Sequence, residues 1–409
     1  MIKRFFSNRK RNIVFIIIAF LLLMDLVLGL ISRHLVADLS DQSAASRWEY
    51  DGSVAQVSLF YTEDREITPD EIKKLEYTME TKMQDYGIVT IDEDDNKSEK
   101  KKDIVDTVDI GHENTPAVLE KSGVSLLYNS CYSAQGISTL KFENRTAENI
   151  DTIGVEGDFF FFHPMELVSG SYFMPDDVMK DKIVIDEMLA WELFGSNDII
   201  GQCVVIGGIN HYVAGVVKIQ EGRLKEAAGL SKSIVYMSYD SLSRYGEILS
   251  GKTSDVEISE DGAKANIGGI NCYEVVMPNP VEGIAARIVK ESSSYDDKYI
   301  TVVDNTDRFS FFKLWEVSRS FGKRSMWDKP IFYPYWENVA RGYEDILALL
   351  NFFRTIFVAA VFIIVAVLIV IAYRNKTWTV RGIVNFLADK KYEFEANRKL
   401  KLADKSVNE

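Results

Sequence analysis

Two uninterrupted apolar runs constrain this chain more than any other feature of its sequence. Residues 13–31 contain one charged side chain, Asp25, and residues 355–373 contain none. Each run spans about 28 Å as an α-helix, close to the ~30 Å hydrocarbon core of a bilayer. We therefore predict two transmembrane helices. A cleaved signal peptide is the alternative for the first run, although the run exceeds the usual ~7–15 apolar residues and no clean cleavage site follows it.

Charge is divided unevenly along the chain. Residues 1–31 and 374–409 each carry a net +4, which leaves −22 for residues 32–373 within a total of −14. Basic flanking segments usually remain in the cytoplasm. The chain is therefore predicted to lie in the plasma membrane with both termini inside and a large acidic domain outside. The negative balance also argues against nucleic-acid binding, which favours a basic surface.

Between the two apolar runs the residue pattern indicates an α+β domain. Strands are predicted at residues 54–62, 87–92, 182–186, 233–238, 269–279 and 299–305, and helices at residues 67–87, 187–195 and 281–290. Thr68 is the predicted N-cap of the first of these helices. Two strand–helix–strand sets suggest two α+β units of modest size. Residues 92–103 form a charged, solvated loop in this interpretation.

From about Tyr335 the chain is predicted to form one helix that continues into the second apolar run. Large side chains recur there every 3.5 residues, at Val339, Tyr343, Ile346, Leu350, Phe353 and Phe357. This spacing is typical of a coiled-coil stalk, which we assign to residues 335–354. The expected partner is the extension of the first run, through Leu28, Ile31, Leu35 and Leu39. A lone amphipathic helix lying against the domain is the alternative.

Asp25 is the one charge within an apolar run. It lies ~18 Å from the cytoplasmic end of its helix, where a charge costs roughly 2.5–3.5 kcal/mol on insertion scales. Arg354 immediately precedes the second run, and its long side chain can extend inward. We predict that Asp25 and Arg354 form an intramembrane polar pair. The alternative is that Asp25 lies close enough to the outer interface to reach water.

A block of short motifs between residues 157 and 217 carries a family signature. The block contains GDFF at 157–160, LVSG at 167–170, KIVID at 182–186, LAWELFG at 189–195, IG at 200–201 and YVAGVV at 212–217. In order and spacing it resembles the periplasmic core domain of MacB-type ABC transporter permeases. Within this resemblance the stretch around LAWELFG is structural, with Gly195 ending a helix and Gly201 starting a strand.

The resemblance implies a fold and a set of partners. The fold would be a porter-like subdomain with a second subdomain inserted into it, over residues 32–334. The family also implies a dimer driven by an ATPase, so an ABC ATPase subunit and a further multi-span permease subunit are the expected partners besides the lipid membrane. Permeases of this kind have three spans after the domain, whereas residues 374–409 contain no further long apolar run. The chain thus resembles a permease reduced to two spans, with residues 1–12 and 374–409 as cytoplasmic segments.

Catalytic chemistry has little support in the sequence. His34, His112, His163 and His211 are scattered, and no HExxH, CxxC or GxSxG motif occurs. We therefore expect no enzymatic activity, no cofactor, no metal site and no nucleotide site of the chain's own. The three cysteines, Cys131, Cys203 and Cys272, are odd in number and imply no disulfide framework.

Two functions remain open at this point. The first is a membrane subunit of an ABC-type export or mechanotransmission complex that couples a partner ATPase to the extracytoplasmic domain. The alternative is a membrane-anchored extracytoplasmic binding module without transport activity. A C-terminal tail that binds an ATPase would favour the first function, and a dispensable tail would favour the second.

Overall fold

The computed structural model describes residues 9–48, 53–88, 128–230, 232–251, 268–324, 329–374 and 389–393. Its contacts divide the chain into two units, one of residues 32–351 and one that combines residues 1–31 with 352–409. Residues 89–92 of the predicted strand at residues 87–92, and the whole of the charged loop at 92–103, lie outside the described residues. Gly87 and Ile88 follow the preceding helix as a turn and a bend.

Within residues 9–374 the described residues include ten α-helices and eleven strands, and a further helical segment covers residues 389–393. The helices are α1 (Arg9–Ala37), α2 (Ala44–Trp48), α3 (Pro69–Asp85), α4 (Phe159–Phe162), α5 (Glu187–Leu193), α6 (Arg223–Lys225), α7 (Tyr239–Tyr245), α8 (Ile284–Ser292), α9 (Phe311–Arg324) and α10 (Tyr335–Arg374). The strands are β1 (Val54–Tyr61), β2 (Asn129–Phe142), β3 (Arg145–Gly157), β4 (Leu167–Gly170), β5 (Lys182–Asp186), β6 (Cys203–Ile206), β7 (Ile209–Val217), β8 (Ile234–Ser238), β9 (Glu247–Ile248), β10 (Cys272–Pro278) and β11 (Ile300–Asp304).

Two helices are long and apolar enough to cross a membrane, α1 and α10, with mean hydropathy of 3.0 and 3.3 over their apolar stretches. They contain the two runs predicted from the sequence. α1 continues past the first run to Ala37, and α10 begins at Tyr335, where the sequence predicts its start. Pro334 immediately precedes α10 and its carbonyl accepts a hydrogen bond from Asn338 N–H at 3.1 Å. Proline at a helix start is tolerated because the N–H it lacks would have no helical partner there.

The first and last strands of the domain form a split β-α-β arrangement. Its strand order is β11–β1–β10–β2, and every neighbouring pair is antiparallel. α3 and α8 pack together over one face of these strands. The predicted strand–helix–strand set at residues 269–305 lies here, as β10, α8 and β11, whereas the set around residues 182–217 lies farther along the sheet, as β5, α5, β6 and β7. The insertion of β10 between β1 and β2 was not predicted, because it is a long-range pairing that local patterns do not specify.

α3 shows why the local prediction worked. Thr68 Oγ1 accepts the Glu71 N–H at 3.4 Å, and the Glu71 carboxylate accepts the Thr68 N–H at 3.0 Å, so each end of the capping box satisfies a free amide. Pro69 fills the first helical position. The helix buries one stripe of apolar side chains against the sheet, namely Ile72, Leu75, Met79 and Met83.

Strands β3 to β9 form a second subdomain that is inserted between β2 and β10. β2 and β3 have 14 and 13 residues and pair as a long hairpin. Beyond β3 the sheet continues in the order β8–β5–β7–β4, while β6 and β9 pair with β2. The observed architecture confirms the predicted α+β domain with an inserted second subdomain.

The stretch LAWELFG builds a capped helix in this second subdomain. Asp186 Oδ1 accepts the Leu189 N–H at 2.8 Å at the start of α5, whose buried residues are Leu189, Ala190 and Leu193. Gly195 follows the helix with a φ of +73°, which confirms the predicted helix end. Gly201 has a φ of +78° and lies in the turn two residues before β6, so it does not itself start the strand.

The sheet separates two hydrophobic cores. The first lies under α3, α5, α7 and α8. The second lies on the opposite face of the strands and includes Phe60, Phe159, Phe162, Tyr335 and Trp336. Because Tyr335 and Trp336 belong to the first turn of α10, the start of this long helix is buried in the second core. The three cysteines are free thiols, and Cys131 and Cys272 are buried.

Candidate functional site

The part of α10 that belongs to the domain buries one face along its length. Buried positions recur every three to four residues, at Trp336, Ala340, Glu344, Leu347, Ala348 and Asn351. This period is that of an α-helix packed on one side. Two of the buried side chains, Glu344 and Asn351, are polar, so the face differs in character from an apolar stalk seam.

The predicted stalk seam is not the face that packs within this chain. Val339 is buried and Tyr343 and Leu350 are half-buried, but Ile346 is 40% exposed. Phe353, in the helical unit, is 43% exposed. The seam was assigned from large apolar side chains alone, whereas the packed face is made largely of small and polar residues. The predicted seam and the packed face therefore lie on different sides of α10.

α9 covers the buried face of α10. Leu347 and Ala348 form a small core with Leu314 of α9, and Leu35, from the expected partner segment, packs against it. Ser318 Oγ donates to the Ala348 carbonyl at 3.2 Å. Asn351 Nδ2 donates to the Phe311 carbonyl at 3.3 Å. The partner of α10 in this domain is thus mainly a helix that the sequence analysis did not predict, with part of the α1 extension beside it.

Arg308 holds the start of α10 to the end of β11. The two nitrogens Nη1 and Nη2 donate to the two carboxylate oxygens of Glu337 at 2.7 and 2.9 Å. Nε donates to Glu344 Oε1 at 2.5 Å, and Nη1 also donates to Asn305 Oδ1 at 3.0 Å. Only 4% of the Arg308 side chain and 2% of the Glu337 side chain are exposed. One guanidinium therefore binds two points of α10, seven residues or about two turns apart.

The charges in this cluster stabilise each other. Burial alone would raise the pKa of Glu337, but the adjacent Arg308 and Arg341 hold it below its usual value. Burial likewise opposes the charge on Arg308, and Glu337 and Glu344 more than offset it, so the pKa of Arg308 is raised. Arg341 Nε adds a further bond to Glu337 Oε1 at 2.7 Å. Arg308, Arg341 and Glu337 are therefore all charged at neutral pH.

A buried histidine extends the cluster across the sheet. His163 is fully buried, with Nε2 2.5 Å from Glu274 Oε2 and Nδ1 3.1 Å from Asp41 Oδ1. Its ring packs 4.2 Å from the ring of Trp336, centroid to centroid. Burial would lower the pKa of His163, but the two carboxylates outweigh it and raise the pKa to about 9. At neutral pH the imidazolium therefore donates from both nitrogens.

Two neutral side chains join the histidine to the arginine. Ser58 Oγ donates to Glu274 Oε1 at 2.7 Å, and Asn305 Nδ2 donates to Ser58 Oγ at 2.8 Å. Asn305 is also an acceptor for Arg308. The result is one continuous chain of hydrogen bonds, the Arg308 network, whose members are Asp41, His163, Glu274, Ser58, Asn305, Arg308, Glu337, Glu344 and Arg341. It links the segment after α1, strands β1 and β10, and the root of α10.

The Arg308 network joins the start of α10 to the sheet through buried hydrogen bonds. Removing one partner from a buried ion pair typically costs ~3–5 kcal/mol because the other charge stays buried and unpaired. The network is consequently stable only with all its members in place. A shift of α10 must therefore move the attached strands with it or break the network.

The helical unit contains the second charged pair. Arg354 Nε donates to Asp25 Oδ1 at 2.9 Å, so the structure brings together the two residues of the predicted polar pair. Gly29, one turn beyond Asp25, leaves room for the guanidinium, because a Cβ at Gly29 would lie 3.3 Å from Arg354 Cζ. The side chains remain 36% and 24% exposed for Arg354 and Asp25 respectively.

One nucleotide-binding pattern was overlooked in the expectation of no nucleotide site. Residues 246–253, GEILSGKT, fit the GxxxxGK[ST] spacing of a phosphate-binding loop. Such a loop follows a strand and points free backbone N–H groups at the phosphates. Here it follows α7, and the N–H groups of Leu249 and Ser250 donate to the Gln135 carbonyl at 2.8 and 3.1 Å. The Gly251 N–H donates to Glu63 Oε2 at 3.0 Å.

These amides are therefore already engaged, and a carboxylate occupies the place of an anion, so the described part of the loop lacks the form of a phosphate site. Lys252 and Thr253 lie outside the described residues. Across the part of the chain that the structure describes, no cluster of three or more His, Cys, Asp or Glu side chains has the arrangement of a metal site.

The residues of the Arg308 network were not predicted from the sequence. His163 was considered only as one of four scattered histidines, and Arg308 was not considered. His211, the third residue of β7, is likewise buried in a strand, with Nδ1 3.1 Å from the carbonyl of Ile209. The one available signal was that Arg308 precedes α9 and Glu337 lies in the first turn of α10, in a region rich in aromatic residues. That signal does not specify a contact.

Comparison with known proteins identifies the domain. Residues 73–267 match the MacB-like periplasmic core domain family. No curated protein matches the chain. Among solved structures, the chain is similar to the extracellular domain of the noncanonical ABC-type transporter YknZ from Gram-positive bacteria, with 15% identity and a TM-score of 0.32 over 61% of this chain and 99% of that one.

It is also similar to the periplasmic region of MacB from Actinobacillus actinomycetemcomitans, with 13% identity and a TM-score of 0.33 over 64% of this chain and 92% of that one. The family match contains the whole motif block at residues 157–217, and two membrane-span candidates, α1 and α10, lie on either side of it. Residues 73–267 thus resemble the MacB-like periplasmic core domain, the family that the motif block predicts.

Proposed function

We propose that this chain is a membrane subunit of an ABC-type export or mechanotransmission complex, in which a partner ATPase drives the extracytoplasmic domain. ATP hydrolysis by the partner moves the two apolar helices, and α10 carries that movement to the sheet. The chain itself has no enzymatic activity and binds no cofactor in this proposal.

The observation that carries the proposal is the double attachment of Arg308 to α10. Arg308 binds Glu337 and Glu344, which lie about two turns apart on one helix. A single contact would allow α10 to swivel or slide, whereas two buried contacts oppose both motions. Packed and hydrogen-bonded joints of this kind switch between discrete arrangements and do not deform gradually. The attachment therefore supports a role for α10 in transmitting force.

The helical unit supports the presence of further subunits. Two helices cannot enclose a transport path. Ala359 is exposed and Ala360 is half-buried on α10, and small residues allow a neighbouring transmembrane helix to approach closely. Arg354 keeps 36% of its side chain exposed beside Asp25. A multi-span permease subunit is the proposed neighbour on this surface.

The charge partition supports an orientation with both termini in the cytoplasm. Residues 1–31 and 374–409 each carry +4, against −22 between them. The basic tail would lie near anionic lipid and the partner ATPase. Val178 is 92% exposed in the domain, so a cysteine introduced there should react with an impermeant thiol reagent applied to intact cells. Protection of that cysteine would overturn the orientation.

Purification from the native membrane tests the function. The tagged full-length chain is isolated in mild detergent, and the co-purifying proteins are identified by mass spectrometry. We expect an ABC ATPase to co-purify, and we expect it to be lost from a chain that lacks residues 375–409. A monodisperse monomer or homodimer without ATPase or permease would instead support the membrane-anchored binding module.

A further inference from the structure

Helix α9 has the composition of a membrane-surface helix inside an otherwise acidic domain. Its sequence, FFKLWEVSRSFGKR, has four basic residues and one acidic residue, a net +3 within a region of −22. Four of its fourteen residues are aromatic. Basic residues combined with Phe and Trp on an amphipathic helix are typical of helices that lie in the plane of the membrane interface.

The two faces of α9 are distinct. Leu314 and Ser318 face α10. Phe312, Arg319 and Lys323 lie on the opposite side, because offsets of seven and eleven residues correspond to about two and three helical turns. Phe312 is 82% exposed, and Arg319 and Lys323 are exposed as well. None of Lys313, Arg319 and Lys323 forms an ion pair with a residue that the structure describes.

The chain distance from α9 to the apolar run fits the depth of lipid headgroups. Asn351 binds the carbonyl of Phe311, the first residue of α9. The second apolar run begins at Thr355, four residues later on the same helix, which is about 6 Å of helical rise. The headgroup region extends roughly 5–8 Å beyond the hydrocarbon on each side of a bilayer. This short separation along α10 favours headgroups as the ligand of α9.

We propose that α9 binds anionic phospholipid headgroups at the outer surface of the membrane, with Phe312 inserted at the acyl boundary and Arg319 and Lys323 on the phosphates. The bound helix would hold the root of α10 at a fixed depth. This role is separate from ATPase coupling and stands whether or not an ATPase partner is found.

A fluorescent probe at Phe312 tests the proposal in the full-length chain. Phe312→Cys is combined with Cys203→Ser, labelled with an environment-sensitive dye, and placed in nanodiscs of phosphatidylcholine alone or mixed with phosphatidylglycerol. We expect blue-shifted emission, quenching by headgroup-proximal nitroxide lipids, and a larger shift in the anionic discs. Val178→Cys in the same background is the control, with emission as in water. Because both positions are highly exposed, neither label disturbs the core.

Charge reversal then tests the electrostatic part. Lys313→Glu, Arg319→Glu and Lys323→Glu together should abolish the extra shift in anionic discs, while the matched triple Lys73→Glu, Lys74→Glu and Lys141→Glu should retain it at the same net charge. Emission as in water at position 312 in both lipids would overturn the proposal. So would equal shielding in detergent and in both kinds of disc, which would indicate a protein contact. The probe comparison in the unreversed chain decides the matter even if a triple variant fails to fold.

Discussion

The two arginine sites of this chain differ in how completely the protein satisfies them. Arg308 donates to three side chains, and 4% of its own side chain is exposed. Arg354 has one hydrogen bond to a described residue, Asp25, and 36% of its side chain is exposed. A guanidinium carries five N–H donors. The first site is thus nearly saturated by the domain, whereas the residues that the structure describes engage only one of the five donors at the second site.

The difference separates a structural joint from an incomplete site. A saturated buried cluster fixes the geometry of the elements that it connects, here α10 and the sheet. A charged pair that stays partly open beside an apolar run has capacity for a group from outside the chain, such as another transmembrane subunit. We therefore expect substitutions at the first site to act on the stability of the domain and substitutions at the second to act on assembly.

Replacing Arg308 should produce the largest loss of stability. Arg308→Met leaves Glu337 and Glu344 buried without their main partner, so we expect the domain to lose ~3–5 kcal/mol. Thermal or denaturant unfolding of the full-length chain in detergent measures the change. Arg244→Met is the matched control, since the Arg244–Asp240 pair is exposed and should contribute under ~1 kcal/mol. Equal effects of the two substitutions would contradict the assignment of Arg308 as a joint.

Neighbouring positions on α10 test which face is packed. Leu347 is fully buried against α9, so Leu347→Ala should cost ~2–5 kcal/mol. Ile346 is 40% exposed, and Ile346→Ala should change the stability of the domain by ~0.5 kcal/mol or less. The same unfolding measurement compares them. A larger loss of stability in Ile346→Ala than in Leu347→Ala would instead support the predicted stalk seam.

The pH dependence of unfolding tests His163. Its pKa is raised to about 9 in the folded domain by Glu274 and Asp41, against ~6.5 in an unfolded chain. The folded state thus retains a proton that the unfolded state releases. The resulting stability is fully present below pH ~6.5 and is lost as the pH rises through about 9, at about 1.4 kcal/mol per pH unit.

The window from pH ~7.5 to ~8 isolates this effect, because the lowered pKa of His211 adds its opposite slope mainly near and below the usual imidazole pKa of ~6.5. Burial also raises the pKa of Cys131 and Cys272, whose contribution begins only near the usual thiol pKa of ~8.5. We expect His163→Gln to flatten the slope in this window. A wild-type unfolding free energy that is constant across it would show that His163 is neutral in the folded domain.

Asp25→Asn should have the smallest effect on the domain. The substitution removes a charge from the helical unit, and Asp25 belongs to none of the hydrophobic cores of the described residues, so the unfolding free energy of the domain should change by under ~0.5 kcal/mol. The recovery of co-purifying membrane subunits should fall instead. If domain stability fell as much as in Arg308→Met, the distinction between the two sites would be lost.

Local signals made much of the fold predictable. The apolar runs predicted α1 and the end of α10, the capping box predicted the start of α3, and Gly195 predicted the end of α5. Each of these signals lies within a few residues of the element that it specifies. Strand order was not predictable in this way, because it depends on pairings such as β1 with β10, more than 200 residues apart.

The candidate site was far less predictable. Arg308 and Glu337 are 29 residues apart, and His163 is 122 residues from Asp41 and 111 from Glu274. No spacing rule connects such residues before the sheet brings them together. The predicted stalk seam differs from the packed face of α10 for another reason. Hydrophobic periodicity gives little weight to Glu344 and Asn351, which the structure buries on this helix. By contrast, the hydrogen bond of Arg354 to Asp25 joins two residues that are conspicuous in the sequence, because each lies in or beside an apolar run.

Hydrogen exchange in the assembled complex tests most directly whether the Arg308 network transmits motion. Amide exchange of β10 and β11 is compared between the nucleotide-free complex and the complex trapped with a non-hydrolysable ATP analogue, in nanodiscs. We expect a nucleotide-dependent change in wild type, and we expect Arg308→Lys, which cannot bind both glutamates in a fork, to abolish it while ATPase activity is retained. Exchange that does not respond to nucleotide in wild type, or that responds equally in the variant, would contradict the role of the network.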